Sequence, residues 1–278
     1  MYFNIICLEM KKDLFVLLGC VFCSVANASD EALTRFPRGL ESGVGVSATS
    51  GLNLFIGYYN NDFESYWLRH FGFRIDLATT DPLKSALDSA IESFMGDGVD
   101  VGDGVRIDDG KLDAWHGGLL MDYYPFAGNW RLTAGYVWGG ARLDASIFGT
   151  VENAPAHRFY FYLAGDHYYY NGNTFNGVTN IDWNYNGPYL GTGFDIGVFC
   201  GFHLYIDAGV VFTNRTATFD LDIPHENLYL YNKDSGVWSP VTIPKLDQDV
   251  QLARDEANRD LANFKFFPMI KMGFGYRF

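Results

Sequence analysis

The groups in this chain that could carry out acid–base or metal chemistry are a few histidines and acidic residues. His225 is followed by Glu226, as in a zinc-protease motif, but Tyr229 occupies the position of the second histidine ligand. Neither His70 nor His116 has an identifiable nucleophile partner in the sequence, and a histidine within a polar network is the commoner arrangement. The sequence therefore predicts no catalytic residue, no cofactor and no enzyme activity.

An Asp/Gly run from Gly96 to Gly104 offers oxygen ligands for a hard cation, with Asp97, Asp100 and Asp103 as candidate Ca²⁺ ligands. Its spacing matches neither the EF-hand nor the repeated calcium-binding nonapeptide. A solvated loop is the favoured interpretation, and a calcium site is the alternative.

Composition limits the class of protein. The chain has 278 residues, 17% of them aromatic, and a formal net charge of -13. So aromatic a chain can bury enough apolar surface to fold, which argues against disorder. Nucleic acid is excluded as a partner because phosphate binding requires clustered Lys and Arg.

The first 28 residues have the pattern of a signal peptide. Lys11 and Lys12 precede an apolar run from Leu14 to Val25, and Ala26-Asn27-Ala28 resembles a cleavage site. Met10 is an alternative start, and a membrane anchor or a lipoprotein cysteine is a weaker alternative. Residues 29–278 are then expected to form one domain, with Cys200 as its single cysteine.

The elements that follow are predicted from alternation with a period of two residues. Near the C-terminus one face of an extended segment is apolar and the other is charged or glycine. The apolar face holds Phe264, Phe266, Ile270, Met272, Phe274, Tyr276 and Phe278. Other segments repeat the pattern over roughly nine to eleven residues, the length of a tilted strand that crosses a bilayer.

The second face of these segments distinguishes a membrane barrel from a soluble one. A soluble barrel such as a lipocalin has an apolar interior. Here the face that would line the interior carries Arg74, Asp76, His116, Asp122, Asp195, Asp207, Arg215, Lys265, Lys271 and Arg277. The apolar face must then point outwards, towards lipid. We predict an all-β, antiparallel, up-and-down transmembrane β-barrel.

The alternation predicts about eight strands, with ten as the alternative. They are Gly43–Thr49, Leu52–Tyr59, Phe63–Leu77, Leu112–Tyr124, Trp130–Leu143, Tyr189–Phe199, His203–Thr218 and Phe264–Phe278. In this register Arg69 falls on the lipid face of the third strand and requires a bulge or a snorkelling side chain. Short connections alternate with long ones, which places both termini in the periplasm.

Two stretches resemble an uncharacterised family of proteobacterial outer-membrane β-barrel proteins. One is Leu119–Phe126 followed by Trp130-Arg131-Leu132, and the other is Asn263–Pro268 running into Gly273–Phe278. Gly43–Val46 and Pro188–Gly191 also fit, so the resemblance covers most of the mature chain except the long central loop. It implies the fold and an outer-membrane location, and it implies no reaction.

Three groups of residues are candidate sites. The last strand is a candidate signal for the outer-membrane assembly machinery through Met272, Phe274, Tyr276 and Phe278. In the lumen, Arg131, Lys271 and Arg277 are expected to pair with Asp122, Asp195 and Asp207, because buried charges persist only when paired. The loop aromatics Tyr160, Tyr162, Tyr168, Tyr169, Tyr170 and Trp183 form a candidate recognition surface, or else extend the barrel beyond the membrane.

Two amphipathic helices are predicted in the long loops. One starts at Asp81-Pro82, and the other carries the stripe Leu246, Val250, Ala253, Ala257 and Leu261. They either lie on the membrane interface or cap the barrel, and capping is favoured.

The expected function is therefore that of a monomeric, non-enzymatic outer-membrane barrel with a structural or surface-interaction role through its long extracellular loops. Its expected partners are the bilayer, lipopolysaccharide and the assembly machinery. A channel for apolar molecules and a lipid-modifying enzyme are the alternatives.

Overall fold

The computed structural model describes residues 38–85, 89, 99–102, 105–149, 158–172, 175–199 and 201–278. The described strands are β1 (Leu40–Ser47), β2 (Gly51–Tyr58), β3 (Phe71–Thr79), β4 (Val99–Gly102), β5 (Val105–Tyr123), β6 (Trp130–Gly149), β7 (Arg158–Leu163), β8 (Asp166–Asn171), β9 (Phe175–Phe199), β10 (Phe202–Phe212), β11 (Thr218–Asp222), β12 (Leu228–Asn232), β13 (Val237–Pro240) and β14 (Phe266–Arg277).

Helices are a minor part of the described chain. They are α1 (Tyr66–His70) and α2 (Ile243–Leu261), with a 3₁₀ turn at Asp81–Leu83. This turn begins the first predicted loop helix, most of which lies outside the described residues. In the described part of the chain, no helix is both long and apolar enough to cross a membrane.

Eight of the strands close into an antiparallel barrel. Their order is β10–β14–β1–β2–β3–β5–β6–β9, and β9 pairs with β10 to complete the ring. Phe278 takes part in this ring beside β1, because its N–H donates to the Leu40 carbonyl at 2.9 Å. The predicted fold class and the count of eight strands are confirmed.

The predicted third strand is wrong at its start. The strand begins at Phe71, and residues 66–70 form α1, in which His70 Nδ1 lies 2.7 Å from the Tyr66 carbonyl oxygen. Arg69 therefore lies on a helical turn, and no bulge is needed to accommodate it. The connection between β2 and β3 is therefore longer than the predicted tight turn. The prediction failed here because alternation alone does not distinguish a single helical turn from a short strand.

Three strands are much longer than predicted. β5, β6 and β9 extend past the far end of the barrel, the end opposite Gly39 and Phe278, whereas β10 stops at Phe212. The 25 residues of β9 correspond to roughly 80 Å of extended chain, against about 30 Å for the hydrocarbon core of a bilayer. These strands therefore build structure beyond any membrane they cross.

The outer wall of the barrel is apolar, as the alternation predicted. Side chains there are about half exposed, including Leu54, Ile56, Phe73, Ile75, Leu77, Leu119, Leu132, Leu190, Phe194, Ile196, Ile270, Met272 and Phe274. The inward positions of the same strands are buried and hold most of the charged residues.

A second folded unit lies beyond the barrel and is called here the distal lobe. It consists of a four-stranded sheet in the order β13–β12–β8–β7, together with β11 and α2. Its core is separate from that of the barrel and contains Phe161, Leu163, Tyr168, Phe175, Leu221, Ile223, Leu228, Leu246 and Val250. The long connections thus fold into a cored structure.

Helix α2 covers an edge of this lobe. β11 pairs with β9 on one side, and on the other side the Asn258 side chain donates to the Phe219 carbonyl at 3.1 Å. Arg254 Nη2 donates to the Leu221 carbonyl at 2.6 Å. Because an uncovered strand edge invites pairing with other chains, α2 protects β11 from association. The predicted stripe of Leu246 and Val250 packs into the lobe core.

Candidate functional site

A charge network fills the half of the lumen nearest Gly39 and Phe278. Arg74 binds Asp122 through Nε at 2.5 Å and Nη2 at 2.9 Å, and its Nη1 reaches Asp207 at 3.0 Å. Arg131 Nη2 donates to the other oxygen of Asp207 at 2.6 Å, and Arg131 Nη1 binds Asp195. Asp207 thus joins two guanidinium groups. All these side chains are at most 7% exposed, so the network excludes water from this cross-section.

The network continues to the end of the barrel that holds Gly39 and Phe278. Arg277 Nη2 donates to Glu41 at 2.7 Å and lies 3.8 Å from Asp195. The Tyr124 hydroxyl donates to the second oxygen of Asp195 at 3.0 Å. The rings of Tyr124 and Tyr59 stack at 3.8 Å, closing the space beside these charges.

Two members of the network have partners that the sequence analysis did not assign. Lys271 binds Asp76, although Asp207 is its cross-strand neighbour. Arg277 binds Glu41 in preference to any of the three predicted aspartates. Alternation shows which side chains face the lumen, but contacts across the lumen depend on how the ring closes. Arg74 links two of the predicted aspartates, and only its inward position was evident from the sequence.

The other half of the lumen is filled mainly by uncharged side chains, beside the buried Lys271–Asp76 pair. Leu120, Val137, Tyr185, Tyr189, Val211, Phe267 and Met269 form a buried cluster. The tyrosine rings lie over glycines of the wall: a Cβ added at Gly139 would meet the Tyr185 hydroxyl at 2.7 Å. The glycine-rich inner faces therefore provide room for large aromatic side chains inside a narrow barrel.

His116 and Asp76 form an acid–base pair inside this filled lumen. His116 Nε2 lies 3.6 Å from Asp76 Oδ1, and both side chains are at most 2% exposed. Asp76 is also bound by Asn53 and Lys271. The pair has the composition of a general base with its orienting acid. Both side chains are enclosed in the lumen, away from the lipid-facing outer wall.

A shallow groove of about 650 Å³ lies on the outer wall of the barrel. It is lined by apolar side chains of β2, β3 and β5, among them Ile56, Phe73 and Met121. Its position on the apolar exterior differs from the lumenal pocket that a channel for apolar molecules would need.

The candidate calcium ligands fall largely outside the part of the chain that the structure describes. Asp97 and Asp103 lie outside the described residues, and only the backbone of Asp100 is described, in β4. Cys200 and the signal-peptide segment also lie outside the described residues. Among the residues that are described, no three potential metal ligands are grouped.

The structure divides the predicted aromatic surface among three environments. Tyr168 is fully buried in the lobe core, and Tyr170 packs against it. Tyr160 and Tyr162 lie on the opposite face of the sheet, where they are 36% and 65% exposed. Trp183 lies apart, with its ring 5.2 Å from that of Phe267. The residues of the predicted set therefore do not form one surface.

A more extensive set of aromatic residues shares a sheet face with Tyr160 and Tyr162. We call it the aromatic face, and its members are Tyr160, Tyr162, His167, Tyr169, Tyr229, Tyr231 and Trp238. His167 and the three residues of β12 and β13 were missed by the sequence analysis. The alternating segments "LYLYN" and "VWSP" could have indicated two short strands with aromatic residues on one face. Their pairing with β8, which is distant in sequence, could not be predicted from that pattern.

An ion network joins α2 to this sheet from its core side. Lys245 Nζ lies 2.7 Å from both Asp166 and Asp249, and the Tyr168 hydroxyl donates to Asp249. Hydrogen bonds from Lys245 to Asp166 and then to Asp249 raise the pKa of Lys245. Burial, followed by the bond to Asp249, raises the pKa of the Tyr168 phenol.

In the candidate assembly signal, Met272 and Phe274 lie on the outward face of the last strand, as predicted. Met272 and Phe274 are about half exposed on the outer wall, and the rings of Tyr276 and Phe278 lie 4.9 Å apart.

The closed barrel and its extended strands can be compared with solved structures. Acinetobacter baumannii CarO matches with a TM-score of 0.54 and 14% identity, over 86% of this chain and 98% of that chain. Acinetobacter baumannii CarO2 matches with a TM-score of 0.54 and 13% identity, over 87% and 99% of the two chains.

A major outer membrane protein from Thermus thermophilus is similar at a TM-score of 0.35, with 17% identity over 86% of this chain and 98% of that chain, too weak a likeness to support an argument. No family model and no curated protein matches the sequence. The similarity to the two Acinetobacter proteins supports the fold, an antiparallel eight-stranded barrel.

Proposed function

We propose that this protein is an integral outer-membrane barrel of a Gram-negative bacterium that anchors the distal lobe on the cell surface and does not conduct solutes. The apolar outer wall suits the hydrocarbon of a bilayer, where only helices and closed barrels satisfy every backbone polar group. The termini then lie in the periplasm, and the lobe lies outside. CarO and CarO2 share the closed-barrel fold from which this location is argued.

The observation that carries the proposal is the filled lumen. Salt bridges of Arg74 and Arg131 occupy one half, and the cluster around Tyr185 and Phe267 occupies the other. An interior of eight strands is just wide enough for side chains to fill it. The functional surface is therefore the lobe, and its partners are expected among envelope components such as lipopolysaccharide or outside surfaces.

Neither alternative function gains support from the described residues. Transport of apolar molecules would need a lumenal pocket, whereas the observed groove lies on the outer wall. A lipid-modifying enzyme would need its acid–base pair at the lipid interface, whereas His116 and Asp76 are enclosed. The protein is accordingly proposed to be a non-enzymatic monomer, inserted by the outer-membrane assembly machinery through its last strand.

Conductance tests the proposal. The protein refolded in detergent should shift in mobility when heated on a semi-native gel, because a folded barrel resists the detergent. In planar bilayers the same preparation should give no steady conductance. Steady single-channel conductance from a heat-modifiable band would overturn the proposal of a filled lumen and make the protein a channel.

Location is tested separately with a cysteine introduced at the turn between β12 and β13. In a Cys200→Ser background, Ser235→Cys should react with an impermeant maleimide on intact cells. A cysteine that reacts only after the cells are broken would place the lobe on the periplasmic side and contradict the proposed orientation.

A further inference from the structure

The aromatic face lies on the side of the sheet away from the lobe core. Side chains alternate across the sheet, so Phe161, Tyr168 and Leu228 enter the core while Tyr160, Tyr169 and Tyr229 point to the other side. A solvated sheet face ordinarily carries polar residues. Here seven aromatic residues occupy it instead. Tyr169 is buried among the others at 6% exposure, whereas Tyr160 and Tyr162 remain 36% and 65% exposed. Exposed aromatic rings on a surface of this kind indicate a ligand.

The rings are arranged as a continuous surface by cross-strand pairing. Tyr162 stacks on its direct partner His167 at 4.4 Å, and Tyr169 stacks on its partner Tyr229 at 4.6 Å. The ring centroid of Trp238 lies 5.7 Å from that of Tyr160 and 4.8 Å from that of Tyr169. Trp238 therefore links β13 to β7, the two outer strands of the sheet. Cross-strand aromatic pairs hold each ring in place.

Tight turns preorganise this surface. Ala164 and Gly165 join β7 to β8 with φ values of 51° and 81°, the left-handed pair of a two-residue hairpin. At the other hairpin the Asn232 side chain accepts hydrogen bonds from the backbone N–H groups of Asp234 and Ser235, at 2.9 and 3.1 Å. Rings that are already ordered lose little entropy when a ligand binds.

The chemistry of the face specifies the ligand class. Every ring carries a polar edge, a hydroxyl or a ring nitrogen, beside its apolar face, and none of the described side chains of the aromatic face is charged. A pyranose ring has the complementary surface, since its C–H groups stack on aromatic rings and its hydroxyls meet polar edges. The net charge of -13 disfavours anionic polymers.

We infer that the aromatic face binds a neutral saccharide chain. This inference rests on the proposed function, which puts the face on the cell exterior where such chains occur. Tyr162, stacked on His167, and Tyr160, tilted against the same ring, lie at the exposed margin and receive the sugar. Trp238 extends the contact towards Tyr231.

Saturation-transfer NMR on the full-length protein in a sugar-free detergent tests the inference. The probes are maltohexaose and cellohexaose, with an oligogalacturonate as the anionic comparison. At least one neutral hexasaccharide should receive saturation, and the anionic oligomer should not. Trp238→Ala and Tyr162→Ala should each weaken binding about three- to tenfold, the range that one aromatic contact contributes.

Two controls separate ring stacking from a general change in the lobe. Val237→Ala alters an exposed neighbour of Trp238 on the same strand and should leave binding unchanged. Tyr162→Phe keeps the ring and should retain most of the binding that Tyr162→Ala loses. The inference is overturned if neither hexasaccharide binds, or if binding persists unchanged in Trp238→Ala and Tyr162→Ala.

Other occupants of the face would be recognised in the same preparations. A dimer that dissociates in Trp238→Ala would show that the face binds a second copy, and insertion of the face into vesicles would show a lipid partner. Either result replaces the saccharide. The surface reactivity of Ser235→Cys is independent of all these outcomes, so failure of saccharide binding and failure of the proposed location can be told apart.

Discussion

Arg74 is a buried cation that bridges two carboxylates in the lumen. It lies on β3 and binds Asp122 on β5 and Asp207 on β10, so it connects strands from opposite sides of the ring. The benefit of a buried ion pair is modest compared with an apolar replacement of the whole network. Removal of one partner is different, because the remaining charges stay buried without compensation.

Arg74→Met should therefore destabilise the barrel by about 3–5 kcal/mol. The folded band on a semi-native gel should convert to the unfolded band at a clearly lower temperature. Arg142→Met is the matched control, since Arg142 pairs with Asp144 at 3.0 Å on the exposed surface. Equal heat resistance of Arg74→Met and Arg142→Met would show that the lumen network does not stabilise the barrel.

Tyr168 makes the stability of the lobe depend on pH. Its phenol is protonated when it donates to Asp249, and burial raises its pKa above the ordinary value of 10.0. A group with a raised pKa in the folded state stabilises fully below the pKa of the unfolded state, and this contribution is lost as the pH rises through the folded-state value.

The wild type should thus exceed Tyr168→Phe in lobe stability at neutral pH, and the difference should shrink above about pH 10. Hydrogen exchange of the β7 and β8 amides at a series of pH values measures it. A difference that grows above this pH would contradict the role assigned to the phenol.

Among the elements, α2 depends on two polar side chains to cover β11. Asn258 both accepts from the Phe219 N–H at 2.7 Å and donates to its carbonyl, and Arg254 donates to the carbonyl of Leu221. These bonds replace the ladder that another strand would supply. The helix therefore has a role against association in addition to its apolar contacts.

Asn258→Leu combined with Arg254→Met should expose the edge of β11. We expect faster proteolysis near residues 218–222 and self-association at high concentration, with an unchanged heat-modifiable shift of the barrel. Gln251→Met is the control on the same helix, since Gln251 bonds only to the exposed Asp255. Unchanged proteolysis in the double variant would remove the edge-covering role from α2.

At the scale of the whole molecule, two separate cores predict two cooperative units. The lobe core around Leu246 and the lumen cluster around Met269 share no members. The long strands β6 and β9 connect them, because their 20 cross-strand pairs run from the barrel into the lobe. Regions with separate packing open with separate free energies.

Hydrogen exchange should accordingly separate the amides into two groups. Those of β1, β2 and β14 should exchange last, and those of β7, β8, β12 and β13 should exchange earlier and together. Tyr168→Phe should accelerate only the second group, whereas Arg74→Met should accelerate the first. A single exchange rate shared by both groups would show that barrel and lobe form one unit.

The sequence by itself determined the fold class and, for most residues of the barrel strands, the face to which the side chain points. The reason is that side-chain direction in a strand alternates with every residue. The inward or outward direction of Met272 and its neighbours in β14 therefore follows from the sequence pattern, without knowledge of the partner strands. The same rule correctly placed the charges of Arg131, Asp195 and Asp207 inside the barrel. It was wrong for Arg215 and Lys265, which were predicted to line the interior and are exposed beyond the ends of β10 and β14.

Tertiary structure decided the pairings and the limits of the elements. Lys271 binds Asp76 and Arg277 binds Glu41 because the tilt and register of a closed ring bring distant strands together. The aromatic face likewise joins residues 160–169 to residues 229–238, and local alternation carries no information about such contacts. Only these long-range pairings show that the predicted loops form a lobe with its own core and an aromatic sheet face.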